Sequence, residues 1–207
     1  MLNRRTFSAA VALPALAIST TQVHAAGASV GQAAPDFMAT DALGKTHKLS
    51  DFKGKHVVLE WTNPGCPFVV KHYSGNMQSL QAEFTTKGVV WLSINSTEKE
   101  SSDYLAPAKL MAWTSEKKGS ASAVLMDESG KIGQLYSAKT TPHMYIINPQ
   151  GVLVYAGAID SVPSARVGDI KTATNYIRQG LNEALGGKAI STSSTRAYGC
   201  SVKYKDA

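Results

Sequence analysis

The chain has 207 residues, 43% of them hydrophobic and 17% charged, a size and composition typical of one soluble domain with a packed core. Its formal net charge of +6 falls to +4 without the two arginines of the N-terminal leader, and the remaining lysines form no basic run interleaved with aromatic residues, so nucleic-acid binding is not expected. Two cysteines in the whole sequence exclude a disulfide-rich scaffold and a cysteine-rich zinc site.

Residues 1–25 have the pattern of a signal peptide. Arg4 and Arg5 precede an apolar run at 7–18, and a small-residue cleavage pattern follows. The pattern fits a Sec or a twin-arginine signal and predicts export, into the periplasm of a bacterium, where disulfides persist. The apolar run is too short to span a bilayer, so no membrane association is expected after cleavage. An uncleaved amphipathic start is the alternative.

The first elements of the mature chain are a hairpin, a strand and a helix. Residues 38–49 are predicted to form a β-hairpin around Gly44. The apolar, β-branched run after His56 predicts a buried strand, and Pro67 predicts the start of a helix that continues to about Lys87. Apolar residues recur along this helix at nearly helical spacing: Val69, Val70, Tyr73, Met77, Leu80 and Phe84.

Cys66 stands at the junction of that strand and that helix. Unpaired backbone N–H groups and the dipole at a helix N-terminus stabilise negative charge, so a thiol there has a lowered pKa and forms the reactive thiolate. The sequence therefore predicts Cys66 as a nucleophile. A buried structural cysteine is the alternative, since free cysteines are among the most buried residues.

The rest of the chain alternates strands and helices, then ends in a tail. Strands are expected at 89–95 and 123–127, helices at 104–118, 130–137 and 169–185, and a hairpin at 144–147 and 152–155. This order predicts one α/β domain over 27–187, with a mainly parallel sheet extended by antiparallel strands. Residues 188–207, which are rich in Ser and Thr and carry Cys200, are expected to form a flexible tail.

Several strings resemble the redoxin branch of the thioredoxin fold, the alkyl hydroperoxide reductase/thiol-specific antioxidant family, and within it a peroxiredoxin-like group. They are PDF at 35–37, LSDFKGK at 49–55, CPFVVKHY at 66–73, TTPHMY at 140–145 and GCSVKY at 199–204. The resemblance implies a central mixed sheet flanked by helices, with an N-terminal β-hairpin extension. It also implies that Cys66, followed by Pro67, is the catalytic thiol, and that Pro142, preceded by Thr141, is cis and packs beside it.

The sequence departs from two motifs of these relatives. Val69 occupies the second cysteine position of the thioredoxin Cys-x-x-Cys motif, so no local dithiol exists. Leu59 and Asn63 occupy the Pro and Thr positions of the peroxiredoxin Pro-x-x-x-Thr-x-x-Cys motif. Cys200 then has three alternative roles: it resolves an oxidised Cys66, it forms a permanent bridge with Cys66, or it makes no contact with Cys66.

Two histidines are candidates to support the thiol. His72 follows Cys66 by six residues and serves as a base, a ligand or a packing residue. His143 follows Pro142 directly, and its ring or backbone is expected near the sulfur. Lys71 is expected on a solvated face.

Two functions of different classes remain. The first is a thiol oxidoreductase without a cofactor, which attacks a small peroxide or disulfide and exchanges electrons with an external thiol or disulfide protein. The second is a copper- or thiol-binding protein without turnover, whose soft or borderline ligands are supplied by Cys66, His72, His143 and Met144.

Overall fold

The computed structural model describes residues 27–205, so the predicted leader lies outside the described part of the chain. The strands are β1 Met38–Thr40, β2 Thr46–Lys48, β3 Val57–Trp61, β4 Val90–Asn95, β5 Ala123–Met126, β6 Thr140–Thr141, β7 His143–Ile147, β8 Leu153–Gly157 and β9 Cys200–Ser201. The helices are α1 Pro67–His72, α2 Asn76–Thr86, α3 Pro107–Glu116, α4 Lys131–Leu135 and α5 Tyr176–Leu185. Within 27–205, none of these helices has the length and apolarity needed to cross a membrane.

The central sheet has five strands in the order β5-β4-β3-β7-β8. The strands β3, β4 and β5 run parallel, and β7 and β8 extend the sheet with antiparallel pairs. The β1–β2 hairpin lies beside β5, where Asp41 pairs with Leu125. The predicted fold, a mixed sheet flanked by helices with an N-terminal hairpin, is confirmed.

The sheet separates two apolar clusters, as the alternation of side chains along a strand requires. In β3, Leu59 and Trp61 face a cluster formed with β1, α4 and the β7 residue Tyr145. Val58 faces the opposite cluster, where α1, α2 and α5 pack and where Cys66 lies. The candidate thiol is thus on the helix-covered face of the sheet.

The single helix predicted over 67–87 is two helices in the structure. The first ends at His72 and the second begins at Asn76, because Gly75 has φ +121°, outside the helical region. The apolar spacing continues across this break and hides it. As a result, Cys66 precedes a helix of only six residues, Pro67–His72.

The helix predicted over 169–185 begins later than expected. Residues Val167–Lys171 form a 3₁₀ turn, and α5 starts at Tyr176, where the Asn175 side chain accepts a hydrogen bond from the Arg178 backbone at 2.9 Å. An asparagine cap of this kind satisfies one of the unpaired N–H groups of the first turn. Ile170, whose position fits the apolar period, lies in the turn instead.

Residues 188–205, expected to form a flexible tail, pack along the domain. Ser194 bridges to Ala156 at the outer edge of β8, and the hydroxyl of Thr195 accepts a hydrogen bond from the Ala158 backbone at 2.9 Å. The approach is close enough that a side chain at Gly157 would collide with the Thr195 backbone. Further along, β9 pairs with β6 in an antiparallel ladder. The Ser/Thr content of this segment predicted a flexible tail, but in the structure a threonine hydroxyl attaches the segment to the domain by a hydrogen bond.

Candidate active site

Cys66 ends the loop that leaves β3 and is the N-cap of α1. The Asn63 carbonyl accepts the Cys66 N–H at 3.0 Å, and the Asn63 side chain accepts the Gly65 N–H at 2.7 Å, which folds the loop into a tight turn. Pro67 occupies the first helical position, where its missing N–H costs nothing. The structure therefore places Cys66 at the N-terminus of α1, as predicted.

The Thr141–Pro142 peptide bond is cis, and this turn lies against the thiol. The Cys66 Sγ donates to the Thr141 carbonyl at 3.0 Å. The buried Thr141 hydroxyl has no hydrogen-bond partner among residues 27–205.

Cys200 lies on the other side of the same turn. In the β6–β9 ladder Cys200 is opposite Thr141, the residue whose carbonyl accepts from Cys66, and Cys200 packs against the apolar cluster that contains Cys66. Both cysteines are free thiols, Cys66 buried at 2% exposure and Cys200 half-buried. The structure thus brings together two cysteines separated by 134 positions in the sequence.

The two thiols differ in acidity. Burial acts to raise the pKa of Cys66, but its interactions with Cys200 and Thr141 outweigh this effect, so the pKa lies below the ordinary value for a thiol. The pKa of Cys200 is raised to about 11, mainly by burial and secondly by the neighbouring Cys66. Cys66 is therefore the thiol that loses its proton first, and Cys200 remains protonated at neutral pH.

Lys71 and His72 are buried, and they point away from the thiol. Lys71, expected on a solvated face, is 1% exposed and pairs with Asp160 at 3.1 Å. The hydrogen bonds of His72 within the described chain go to Asn76 and Tyr198, not to Cys66. Burial and the nearby Lys71 lower the pKa of His72 to about 4 against the opposing charge of Asp160, so the imidazole is neutral at pH 7. His72 thus sits in a polar cluster next to the site.

His143 lies on the opposite side of the sheet from Cys66. Its ring packs on Tyr145 with centroids 4.5 Å apart, and burial, with the nearby Lys139 charge, lowers its pKa to about 4. Met144, the next residue, faces the cluster that contains Cys66. The alternation of β7 therefore directs the His143 ring away from the thiol, so of the two expected placements, ring or backbone near the sulfur, that of the ring is wrong.

The copper alternative requires the predicted ligands to meet, and they do not. His72 and His143 lie on opposite sides of the sheet. No group of three or more His, Cys, Asp or Glu side chains with metal-binding geometry occurs in residues 27–205.

Glu60, in the middle of β3, is a buried carboxylate that was not predicted from the sequence. It is fully buried, and its carboxylate accepts hydrogen bonds from four side chains: Tyr73 at 2.7 Å, Gln81 at 3.0 Å, Trp91 at 2.7 Å and Ser93 at 2.9 Å. Burial still raises the pKa of Glu60 above its usual value despite these donors. The signal was in the sequence, because an acidic residue inside an apolar strand must be paired or protonated.

The fold agrees with the sequence comparisons. Residues 30–156 match the model of the AhpC/TSA family. The chain is 27% identical over 123 residues to the thiol-disulfide oxidoreductase ResA of Geobacillus kaustophilus, an alignment that covers 59% of this chain and 66% of ResA. The chain spans just under two thirds of the length of the first curated relatives that it matches.

Two solved structures have the same fold. A hypothetical protein of Sinorhizobium meliloti 1021 superposes with a TM-score of 0.77 at 23% identity, over 88% of this chain and 98% of that one. A putative thiol:disulfide interchange protein DsbE of Chlorobium tepidum superposes with a TM-score of 0.57 at 25% identity, over 77% of this chain and 100% of that one.

Proposed function

The chain belongs to the AhpC/TSA family, and on that premise we propose that it is a thiol-disulfide oxidoreductase in which Cys66 is the nucleophile and Cys200 the resolving thiol. One observation carries the proposal: two free thiols meet at the cis Thr141–Pro142 turn, where Cys66 donates to the Thr141 carbonyl and Cys200 is the ladder partner of Thr141. The similarity to ResA, a thiol-disulfide oxidoreductase, and to the putative thiol:disulfide interchange protein DsbE supports disulfide chemistry for this site.

With a disulfide substrate, the Cys66 thiolate attacks one sulfur of the substrate. A mixed disulfide forms on Cys66, and the other substrate sulfur leaves as a thiolate. Cys200 then loses its proton and attacks the Cys66 sulfur, which forms the Cys66–Cys200 disulfide and releases the second substrate thiolate. The substrate is reduced by two electrons and the protein is oxidised by two.

With a peroxide substrate, the Cys66 thiolate attacks one peroxide oxygen, becomes a sulfenic acid and releases an alcohol or water. Cys200 displaces the hydroxyl from that sulfur, which yields the same disulfide and one water. In both routes an external dithiol protein restores the two thiols by exchange and is itself oxidised to a disulfide. Neither route requires a bound cofactor.

The proposed place of action is the bacterial periplasm, after removal of residues 1–25. The support is the charged start and short apolar run of the leader. Fractionation of cells that express the full chain, with the mass of the recovered protein, tests this. A full-length protein found only in the cytoplasm contradicts export.

The redox cycle is tested with the protein first reduced by dithiothreitol and then treated with hydrogen peroxide or oxidised glutathione. Peptide mapping is expected to find an intramolecular Cys66–Cys200 disulfide in the wild type. Cys200→Ser is expected to stop at a sulfenic acid or a glutathione adduct on Cys66. Cys66→Ser is expected to remove the reaction. If both cysteines of the wild type become modified singly and never linked, the resolving role of Cys200 is wrong.

A further inference from the structure

A buried polar cluster joins α1 to the loop after β8. Lys71 and Asp160 form an ion pair at 3.1 Å with side-chain exposures of 0% and 2%, and Lys71 also donates to the Val162 carbonyl at 3.1 Å. Charges removed from water in this way need several partners, since each lost hydrogen bond is costly. Loss of any one hydrogen bond in this cluster is therefore expected to destabilise it.

Tyr198, from the C-terminal segment, completes the cluster. Its hydroxyl donates to Asp160 and lies 3.4 Å from the Lys71 Nζ and 3.2 Å from the His72 Nε2. The His72 Nδ1 lies 2.8 Å from the Asn76 side-chain amide, which donates to it, so the proton of the neutral ring is on Nε2 and is donated to Tyr198. The phenol oxygen thus uses its one donor and both of its acceptor positions.

The same residues link the two thiols through the backbone. Lys71 and His72 follow Cys66 on α1, and Tyr198 precedes Cys200 by two residues. The Tyr198 ring also packs edge-on against Phe68 of α1, with centroids 5.8 Å apart. The segment that carries Cys200 is therefore attached to the helix that Cys66 begins.

We propose that Tyr198 is a positioning residue, whose hydroxyl holds the Cys200 segment against α1 and so keeps Cys200 within reach of an oxidised Cys66. The proposal rests on the function proposed above and names the group that sets the efficiency of its resolving step. The rate of an intramolecular attack depends on how often the two sulfurs are held in reacting geometry. Without the hydroxyl, the Cys200 segment loses its hydrogen bonds to the buried cluster but keeps the aromatic contact with Phe68.

Tyr198→Phe makes this change in isolation. The matched control is Tyr104→Phe, which likewise removes a hydroxyl that donates to a carboxylate, that of Glu128 at 2.6 Å, outside the thiol pair and the Tyr198 cluster. Each reduced protein is treated with one equivalent of hydrogen peroxide in the presence of dimedone, and mass spectrometry gives the ratio of dimedone adduct on Cys66 to Cys66–Cys200 disulfide. Circular dichroism confirms that each variant is folded.

For Tyr198→Phe we expect this ratio to shift toward the adduct by on the order of 10-fold to 100-fold. Wild type and Tyr104→Phe are expected to give mainly the disulfide. His72→Gln, which alters one contact of the hydroxyl and keeps the Lys71–Asp160 pair, is expected to shift the ratio in the same direction by less, and it replaces Tyr198→Phe if that variant does not fold.

Two results overturn the proposal in distinguishable ways. If wild type gives the disulfide and Tyr198→Phe gives the same ratio, while Tyr198→Ala does not, the ring and not the hydroxyl positions Cys200. If wild type itself gives no Cys66–Cys200 disulfide, the proposed function fails, and the positioning role fails with it.

Discussion

At the scale of single residues, the acidity of Cys66 depends on its neighbours more than on its helix. The helix that follows it has only six residues, and the largest effect that lowers its pKa is the interaction with Cys200. Cys200 shows the reverse shift, because burial and then the neighbouring Cys66 disfavour a negative charge on it. The two thiols therefore titrate as a pair, with the first proton lost mainly from Cys66.

This pairing predicts how each thiol responds to loss of the other. In wild type, the pH midpoint for alkylation of Cys66 by iodoacetamide is expected below the usual thiol value of about 8.5. Cys200→Ala removes the neighbouring thiol that favours the thiolate, so the Cys66 midpoint rises. In Cys66→Ala the pKa of Cys200 falls from about 11, since its neighbouring thiol is lost. Peptide-level mass spectrometry measures both midpoints, and a Cys66 midpoint that is unchanged in Cys200→Ala contradicts the pairing.

At the scale of elements, local signals in the sequence predicted the features that depend on neighbouring residues, such as helix starts and hairpin turns. The apolar run of β3 and Pro67 placed Cys66 correctly at the start of α1, and the turn at 148–151 predicted the β7–β8 hairpin. The break at Gly75 was missed because apolar residues keep their period across it, although a glycine there is a recognised signal. The late start of α5 was missed for a similar reason, although Asn175 is a readable cap.

The contacts of the C-terminal segment could not be predicted from the spacing of apolar residues. A lysine at an apparently exposed helical position and a tyrosine in a Ser/Thr-rich segment gave no sign that both bind Asp160, since only the folded chain brings the three together. One signal was present. Gly199 precedes Cys200, and a glycine directly before a functional residue often marks a close backbone approach.

Gly199 gives a prediction at this scale. It has φ +142°, and a Cβ there would overlap the Thr141 carbonyl, so Gly199→Ala is expected to displace β9. Cys66, now 2% exposed, should then be alkylated faster by iodoacetamide, and the yield of Cys66–Cys200 disulfide should fall. Gly168→Ala is the control, because no atom lies within 4 Å of its Cβ position. Equal alkylation rates in both variants would mean that β9 does not cover the thiol.

At the scale of the whole molecule, the C-terminal segment is a part of the domain. Ile190 packs against the helix-covered cluster, Thr195 hydrogen-bonds to the Ala158 backbone, and Tyr198 completes the Asp160 cluster. Each contact joins the segment to a different element of the fold. The stability of the domain is therefore expected to depend on a segment that composition alone assigned to a tail.

A chain that ends at residue 187 tests this dependence. Each buried group left without its partner costs about 1–3 kcal/mol, and for a domain of this size 1 kcal/mol corresponds to a fall in Tm of about 2–4 °C. Because truncation affects both the Asp160 cluster and the Ala158 amide, we expect the Tm to fall by several degrees. Full-length Cys200→Ser is the control, because it keeps the packing and removes only the thiol. A truncated chain that melts with the control contradicts the structural role of the segment.

The position of Ser194 against Ala156 has a consequence for self-association. An edge strand with unpaired N–H and C=O groups is a template on which another chain adds a strand, the first step of aggregation. In this sheet one edge, β5, is shielded by the N-terminal hairpin through Asp41, and the other, β8, is shielded by the C-terminal segment. The segment that carries Cys200 thus also covers an edge of the sheet that another chain could pair with. Any event that releases it, such as reaction with a bulky disulfide, leaves the protein more prone to aggregate until the segment docks again.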